Sequence, residues 1–244
     1  MKKPHSFLLA VALTLLIAST VILFSSVKKT ETVIIGKVID GDTVLLEDGR
    51  KIRFANINSP EKNTKYATLS INFIKQFENS TVEIEILGKD KYNRFLARIY
   101  TPSYLNLDLV KEGLASPFLV EESETKDFSK AEEYAIENSK GMWKKSDYYN
   151  CFSTDIDEEE EKVYIKSKCN TLNVNGFLLK DESTKNYIFK NINLTSIILH
   201  SGNGEDNATD IFWNSNGNVW NNDKDTLYIF DRQSNIIHYN RYGY

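Results

Sequence analysis

The sequence predicts a mainly β chain with a few helices, arranged as a small closed five-stranded barrel followed by a β-sandwich. Two observations predict this fold class. Between residues 33 and 100, five short apolar runs alternate with turn residues, and only one helical pattern interrupts them. After residue 147, short apolar runs recur at regular spacing among Gly, Asn and aromatic residues, which is typical of sandwich sheets. The 244 residues, 41% of them hydrophobic, suffice for two compact domains.

The barrel strands and the first helix follow from hydrophobic periodicity. A helix is predicted over 66–77, because Leu69, Phe73 and Phe77, together with Ile74, follow the i, i+4 and i+8 spacing of one buried face. The apolar runs on either side of this helix predict strands at 33–39, 44–46, 52–57, 82–87 and 95–100.

Two further helices complete the predicted barrel domain. The first begins near Ser103, a predicted N-cap, and stops at Gly113; the second spans about 128–139 and stops at Gly141. Five strands with an inserted helix predict a barrel of the OB type, a fold that commonly offers one face to nucleic acid.

The strand spacing of the second half predicts a β-sandwich. The acidic run at 155–161 is interpreted as a solvated linker or loop rather than as a metal site. Trp213 and Trp220 are interpreted as packing residues rather than as a binding surface. The predicted strands of the sandwich are 163–167, 176–179, 187–189, 196–200, 226–231 and 236–239.

The N-terminal residues 7–26 form an uninterrupted apolar run. About 20 such residues can cross a bilayer as a helix, and the run is longer than the apolar part of a signal peptide. It therefore predicts an uncleaved membrane anchor with the rest of the chain outside the cell, and secretion after signal cleavage is the alternative. The predicted organisation is a signal-anchor segment at 1–29, a barrel domain at 30–147 and a sandwich domain at 148–244.

Charge and cysteine content restrict the function classes. The chain carries a net charge of −4, with 30 basic and 34 acidic residues, which argues against a broadly basic protein that tracks along duplex DNA. Attraction of an anion must therefore be local to a site. Cys151 and Cys169 are compatible with a disulfide or with two isolated buried thiols, and neither shows metal-ligand spacing.

Three short strings in the first half carry side chains suited to phosphodiester chemistry. They are Asp-Gly-Asp-Thr at 40–43, Arg53 followed by Asn-Ser-Pro-Glu at 58–61, and Asp-Lys-Tyr-Asn-Arg at 90–94. Each alone reads as a turn or as surface charge. Together they supply two arginines, a glutamate and an aspartate, which are the groups that hold a phosphodiester beside a hard metal ion.

The order of these strings resembles the thermonuclease family, the staphylococcal-nuclease-like domain. Leu-Val-Lys-Glu-Gly-Leu-Ala at 109–115 and Gly-Met-Trp at 141–143 continue the family pattern, so the resemblance covers about residues 30–147. The resemblance implies an OB barrel and a calcium-dependent nuclease that cleaves DNA and RNA and leaves 3′-phosphates.

The resemblance also implies roles for individual residues. Asp42 would ligate calcium, and Arg53 and Arg94 would bind the scissile phosphate and stabilise its transition state. Glu61 corresponds to the glutamate that activates or positions the attacking water. These three residues, Arg53, Glu61 and Arg94, are the predicted catalytic group.

Other positions match the family pattern with departures. Lys91 and Tyr92 match residues that contact a nucleotide phosphate. Asn58 stands where the family has a second calcium-binding aspartate, and Ser59 would offer its backbone carbonyl to the ion. One fewer negative charge predicts a weaker calcium site. The family's stacking tyrosines are missing after residue 115, so base stacking would fall to Phe118.

The second half resembles the lamin-tail domain, an immunoglobulin-like sandwich. The resemblance rests on the strings at 174–182, 201–204, 219–222 and 225–231, and it implies no chemistry.

The leading prediction is a membrane-anchored, outward-facing, calcium-dependent nuclease with DNA or RNA as substrate. A catalytically weak or inactive module of the cell envelope that binds nucleic acid or protein is the alternative, which Asn58 favours. A third possibility makes the second half an envelope adhesion element. We expect a monomer that contacts the membrane through its N-terminal helix, and the sequence does not identify a partner for the second half.

Overall fold

A computed structural model describes residues 29–60, 65–183 and 185–243 of the chain. The first half folds around a closed barrel of five strands in the order β1-β2-β3-β6-β5. Strands β3 and β6 run parallel and the other neighbours run antiparallel, which confirms the predicted OB-like barrel. The barrel strands are β1 (Glu31–Asp40), β2 (Thr43–Leu46), β3 (Lys51–Phe54), β5 (Thr81–Lys89) and β6 (Phe95–Tyr100).

Apolar side chains that alternate along the barrel strands point inward and form one core. Ile35, Ile52, Phe54, Ile84 and Ile99 are fully buried there. Two very short strands, β4 (Ile57–Asn58) and β7 (Ser116–Pro117), pair beside the barrel. This pairing holds the backbone of Asn58 in place.

Three helices surround the barrel: α1 (Lys65–Lys75), α2 (Leu105–Lys111) and α3 (Thr125–Glu137). All three were predicted, and most of the predicted buried face of the first helix is confirmed, since Phe73 and Phe77 pack against the barrel core. Ile74 and Ser70 are buried, whereas Leu69 is exposed. Ser70 is a polar residue in this core, and its hydroxyl is satisfied by donating to the carbonyls of Tyr66 and Leu114.

The predicted N-cap of α2 was wrong. Tyr104 occupies the N-cap position without a side-chain capping bond, and the Ser103 hydroxyl donates to the carboxylate of Asp108 instead.

Helix α2 ends just before Gly113, as predicted, whereas α3 already ends at Glu137, and Ser139 is the first residue after it with a positive φ. Gly113 and Gly141 are required by close backbone contacts. Both residues have positive φ, and a Cβ on either would lie less than 2.5 Å from a backbone oxygen of the facing segment.

The second half contains two four-stranded sheets. One has the order β12-β11-β16-β17 and the other β15-β14-β9-β8. Their inner faces share one hydrophobic core, which includes Phe152, Ile165, Leu179, Leu199 and Ile229, as in a β-sandwich. The strands are β8 (Phe152–Asp157), β9 (Lys162–Ser167), β11 (Leu178–Lys180), β12 (Asn186–Ile188), β14 (Ser196–His200), β15 (Asp210–Phe212), β16 (Asp225–Phe230) and β17 (Ile236–Tyr242), with a separate pair formed by β10 (Leu172–Asn173) and β13 (Asn193–Leu194).

The acidic run is part of the sandwich and not a linker between domains, and only its last residues, 158–161, form the predicted loop. Its first residues, 155–157, belong to β8, which pairs antiparallel with β9 in a hairpin. Asp157 lies opposite Lys162 and Asp155 lies opposite Tyr164, so cross-strand partners compensate the acidic composition. Cys151, just before β8, forms a disulfide with Cys169 just after β9. Trp213 and Trp220 pack with the sandwich core, as predicted.

A buried polar network joins the two halves. Glu132 on α3 is 1% exposed. Its carboxylate accepts hydrogen bonds from the Tyr228 hydroxyl at 2.7 Å and from the Arg241 guanidinium at 2.5 Å. Around the network, Trp143 stacks on Phe230 and lies 5.2 Å from the ring of Tyr228. The sandwich therefore packs directly on the last helix of the barrel half.

The predicted membrane localisation is corrected. In the described part of the chain, no helix is both long enough and apolar enough to span a bilayer. The apolar run at 7–26, and with it most of the predicted segment 1–29, lies outside the described residues. A membrane position is accordingly not part of the function proposed below.

Candidate active site

A cleft of about 1160 Å³ opens at one side of the barrel. The turn between β1 and β2, the end of β3 with the segment that follows it, helix α1 and the turn between β5 and β6 form its walls. Asp42, Arg53, Asn58, Lys91 and Arg94 all line this cleft. The structure thus brings together side chains that are up to 52 positions apart in the sequence.

Asp42 and Arg53 form a buried ion pair at the base of the cleft. The two residues are 6% and 8% exposed, and a guanidinium nitrogen of Arg53 lies 3.3 Å from the Asp42 carboxylate. Burial acts to raise the pKa of Asp42, but the Arg53 charge and the backbone N–H of Ser59 hold this pKa below its ordinary value. Asp42 is therefore ionised at neutral pH.

Arg53 keeps its charge although its side chain is almost fully buried. Burial lowers its pKa, and the Asp42 carboxylate acts in the opposite direction while the nearby charge of Arg94 adds to the lowering. The guanidinium donates to the carbonyl of Phe54, which fixes its orientation. A desolvated, fixed guanidinium binds an anionic oxygen more strongly than one on the surface does.

The Asp40-Gly41-Asp42 turn has the composition that its packing demands. A Cβ on Gly41 would lie 2.8 Å from the Cβ atoms of both Ser59 and Ser70, so only glycine allows this close approach. Burial and the neighbouring carboxylate of Asp42 raise the pKa of Asp40. Two carboxylates therefore stand side by side at the cleft.

Arg94 is held by the turn that presents it. Its Nε donates to the Asp90 carboxylate at 2.7 Å, and the same carboxylate accepts the backbone N–H groups of Tyr92 and Arg94. Burial would raise the pKa of Asp90, but these hydrogen bonds keep it below its ordinary value. A second guanidinium nitrogen of Arg94 lies 3.4 Å from the Thr43 hydroxyl, next to Asp42.

Lys91 and Tyr92 lie at the exposed tip of the same turn. Tyr92 is 69% exposed, and the charged groups of Lys91 and Arg94 lie 5.1 and 5.5 Å from the centre of its ring. Asn93 has a positive φ of 63°, the left-handed geometry that Asn tolerates where the family has glycine. This arrangement offers two cations and an aromatic face to an incoming ligand.

Asn58 and Ser59 lie in the segment that follows β3, the strand of Arg53, and Asn58 is the last residue of β4. The Asn58 amide oxygen is 3.5 Å from an Arg53 guanidinium nitrogen, and the backbone N–H of Ser59 donates to Asp42 at 2.9 Å. Glu61, the predicted general base, lies outside the described residues. The preceding residue, Pro60, lines the cleft.

The donor chemistry of the cleft fits a hard cation only in part. Among residues 29–60, 65–183 and 185–243, no group of three or more His, Cys, Asp or Glu residues is arranged to hold a metal ion. The carboxylates of Asp40 and Asp42 and the amide oxygen of Asn58 are oxygen donors, the type that calcium prefers. Burial, and after it the negative charge of Asp42, raises the pKa of Asp40, and a bound cation would offset that repulsion.

Sequence reasoning missed two contributors to the cleft. Ser183, from the sandwich half, lines the cleft and accepts a hydrogen bond from Asn58. Leu119 lines it beside Phe118, is 67% exposed and has a positive φ of 49°. An exposed leucine in a left-handed conformation leaves no periodic signal in a sequence.

The fold and the cleft define an OB-like barrel protein with two arginines and paired carboxylates at one binding face. Residues 51–145 match the family described as staphylococcal nuclease homologue. An uncharacterized protein of Methanocaldococcus jannaschii, MJ1439, is 31% identical over 142 residues, which cover 44% of this chain and 69% of that protein. The chain belongs to the staphylococcal nuclease-like family through this domain.

Two other relatives carry names that describe an activity. An uncharacterized endonuclease of Escherichia coli O157:H7 is 35% identical over 85 residues, which cover 32% of this chain and 56% of that protein. Endonuclease YhcR of Bacillus subtilis is 30% identical over 139 residues, 47% of this chain and 11% of that protein. This chain thus spans only about half of the first relative and a small part of the second.

Proposed function

We propose that the barrel half of this protein is a nuclease that hydrolyses phosphodiester bonds of DNA or RNA and depends on calcium. The observation that carries the proposal is the convergence of Arg53 and Arg94 on the cleft that holds Asp42. Membership of the staphylococcal nuclease-like family and the relatives named as endonucleases support the same reaction class.

The two arginines would bind the scissile phosphate. Arg53 is oriented by the Phe54 carbonyl and by Asp42, so its remaining donors face the cleft without the need to reorganise. Arg94, held by Asp90, would donate to the same phosphate as charge accumulates on its oxygens. Glu61 would take the proton from the attacking water, the role that the family pattern predicts.

Calcium would be held by Asp42, the amide oxygen of Asn58 and the backbone carbonyl of Ser59. When bound, it would supply positive charge next to the phosphate oxygens. An amide in place of a carboxylate lowers the charge of the site, so we expect weaker calcium binding than at a site with another aspartate.

Lys91 and Tyr92 would bind the nucleotide beyond the scissile bond. Both belong to the turn that presents Arg94, so a substrate bound there would have its phosphate next to this catalytic arginine. We expect internal cleavage and products that end in a 3′-phosphate, as the family resemblance implies.

The test is digestion of labelled single-stranded DNA and RNA by the purified protein, with calcium and then with a chelator. We expect cleavage only with calcium, and ends that a polymerase extends only after phosphatase treatment. Arg94→Ala should abolish cleavage, whereas the matched variant Arg50→Ala should retain it, because Glu31 and Asp48 engage Arg50 outside the cleft. Equal activity of the two variants would refute the assignment.

A binding module with little catalysis is the second candidate. Asn58 favours it, because its amide replaces an acid at the calcium site and is already engaged by Ser183. This candidate predicts retained binding of oligonucleotides without turnover at millimolar calcium, and unchanged behaviour of Glu61→Gln.

We infer that the chain divides into a barrel domain at 30–147 and a sandwich domain at 148–244. Separate hydrophobic cores in the two halves support the division, although a third cluster joins them. The two packed sheets are compatible with the lamin-tail resemblance of the second domain.

A further inference from the structure

One hydrogen bond connects the sandwich half to the cleft of the barrel. The Asn58 side-chain nitrogen donates to the backbone carbonyl of Ser183 at 3.0 Å, across 125 positions of sequence. Ser183 is also part of the cleft wall, together with Asp42 and Arg53. We propose that residues 181–183 of the sandwich are a substrate-positioning part of the active site, and that Asn58 fastens them to it.

The chemistry of its neighbours explains why residue 58 is an asparagine. A guanidinium can only donate and a carbonyl can only accept, so the amide must turn its oxygen to Arg53 and its nitrogen to Ser183. An aspartate could satisfy Arg53 but would direct a negative oxygen at the Ser183 carbonyl. The exchange of acid for amide thus has a reason that is independent of metal binding.

The segment that carries this carbonyl is rigidly held. The Asp181 carboxylate, 1% exposed, accepts the backbone N–H groups of Ser183 and Lys185 and the hydroxyl of Ser183. The next residue, Glu182, donates its backbone N–H to the buried Asp225. The Ser183 carbonyl is therefore presented in one orientation by the sandwich itself.

Further contacts between the two halves maintain this docking. Lys224 donates to the carbonyl of Val120, close to the cleft residues Phe118 and Leu119. Arg241 and Tyr228 bind Glu132 on α3. Several independent bonds thus hold the sandwich in register, and the Asn58 bond is the one that reaches the active site.

If the barrel half is the nuclease proposed above, the segment 181–183 helps to determine where the substrate binds in the cleft. The Ser183 carbonyl repels phosphate oxygens, so a nucleotide strand in the cleft is directed toward Arg53 and Arg94. Asn58 also keeps the Arg53 guanidinium in place through its amide oxygen. Loss of the bond should therefore raise KM more than it lowers kcat.

The experiment is a double-mutant cycle on the full chain with Asn58→Asp and Asp181→Ala. Two readouts are measured: KM for single-stranded DNA and the urea midpoint of unfolding. We expect each single variant to raise KM about five- to ten-fold, the loss typical of one net hydrogen bond. If both act through the Ser183 contact, the double variant should be no worse than the worse single variant.

Two further variants separate the possible outcomes. Asn58→Leu should raise KM like Asn58→Asp, because both lose the amide donor, although only the aspartate retains an oxygen for calcium. Asn173→Asp, the same exchange in a pair of exposed asparagines away from the cleft, should leave both readouts unchanged.

Independent, multiplicative effects of Asn58→Asp and Asp181→Ala on KM and additive effects on the unfolding midpoint would overturn the proposal. A wild-type protein without turnover would instead refute the nuclease function. In that case the cycle in the unfolding midpoint still tests whether Asn58 and residues 181–183 are coupled.

Discussion

Substitution of Arg241 by methionine tests the network that joins the two halves. The change removes the cation that compensates Glu132 but keeps an apolar chain of similar length. Loss of one partner from a buried ion pair destabilises a protein by about 3 kcal/mol or more, because the other charge is left buried without compensation. The Tyr228 hydroxyl still donates to Glu132 in this variant, so we expect the smallest loss of that kind, about 3 kcal/mol of unfolding free energy.

The loss should depend on pH with a defined sign. Burial raises the pKa of Glu132, and Arg241 and Tyr228 oppose this rise, so Arg241→Met raises it further. A carboxyl whose pKa is higher in the folded than in the unfolded state binds its proton more tightly when folded. The protein then loses stability as the pH rises above about 4.5, the pKa of this glutamate in the unfolded chain. The variant should therefore lose more stability at pH 8 than at pH 5.

Urea unfolding followed by tryptophan fluorescence is the assay, because Trp143 lies 5.2 Å from the ring of Tyr228. Arg50→Met is the control, since its partners Glu31 and Asp48 are largely exposed, and it should cost no more than about 1 kcal/mol. Equal losses in the two variants, or a loss independent of pH, would refute the reasoning. The triple variant with Glu132→Leu and Tyr228→Phe should regain much of the stability, because no buried charge remains.

Three further predictions concern catalysis, pH and covalent structure. Arg53→Lys should lower kcat roughly 100-fold, because a lysine cannot donate two parallel hydrogen bonds to a phosphate. Steady-state kinetics on single-stranded DNA measures this effect, and a rise in KM with unchanged kcat would contradict it. Burial, with a smaller effect of Lys168, lowers the pKa of His238 to about 4, so the wild type should lose stability as the pH falls from 6.5 to 4. His238→Gln should flatten that part of a stability curve measured by thermal unfolding, and an unchanged slope would exclude His238 as the cause. Replacement of both Cys151 and Cys169 by serine should cost about 3 kcal/mol of unfolding free energy, as expected for a crosslink between residues 18 positions apart; reductant should then shift the urea midpoint of the wild type but not that of the double variant.

The barrel could be predicted from the sequence because its signals are local. Short apolar runs mark the strands, Asp-Gly turns follow the first two of them, and the cleft residues follow one another in the order of a known family pattern. Asp42 and Arg53 could be expected to meet because both lie at the ends of neighbouring strands β2 and β3, where Thr43 pairs with Arg53.

Features that depend on long-range packing could not be predicted. The acidic composition of β8 hid a strand whose stability comes from its partners on β9. Glu132 reads as a solvent-exposed helix residue, and only the docked sandwich shows that it is buried. The contact of Ser183 with Asn58 joins two segments 125 positions apart, and neither sequence predicts it.

The position of Trp143 has a consequence for attempts to divide the chain. The indole belongs by sequence to the barrel half, yet it stacks on Phe230 and lies against Tyr228 of the sandwich half. A cut between residues 147 and 148 would leave a water-exposed aromatic surface on each fragment. The two fragments, expressed separately, should therefore recombine when mixed, and complementation of this kind would recover the complete cleft without the covalent link.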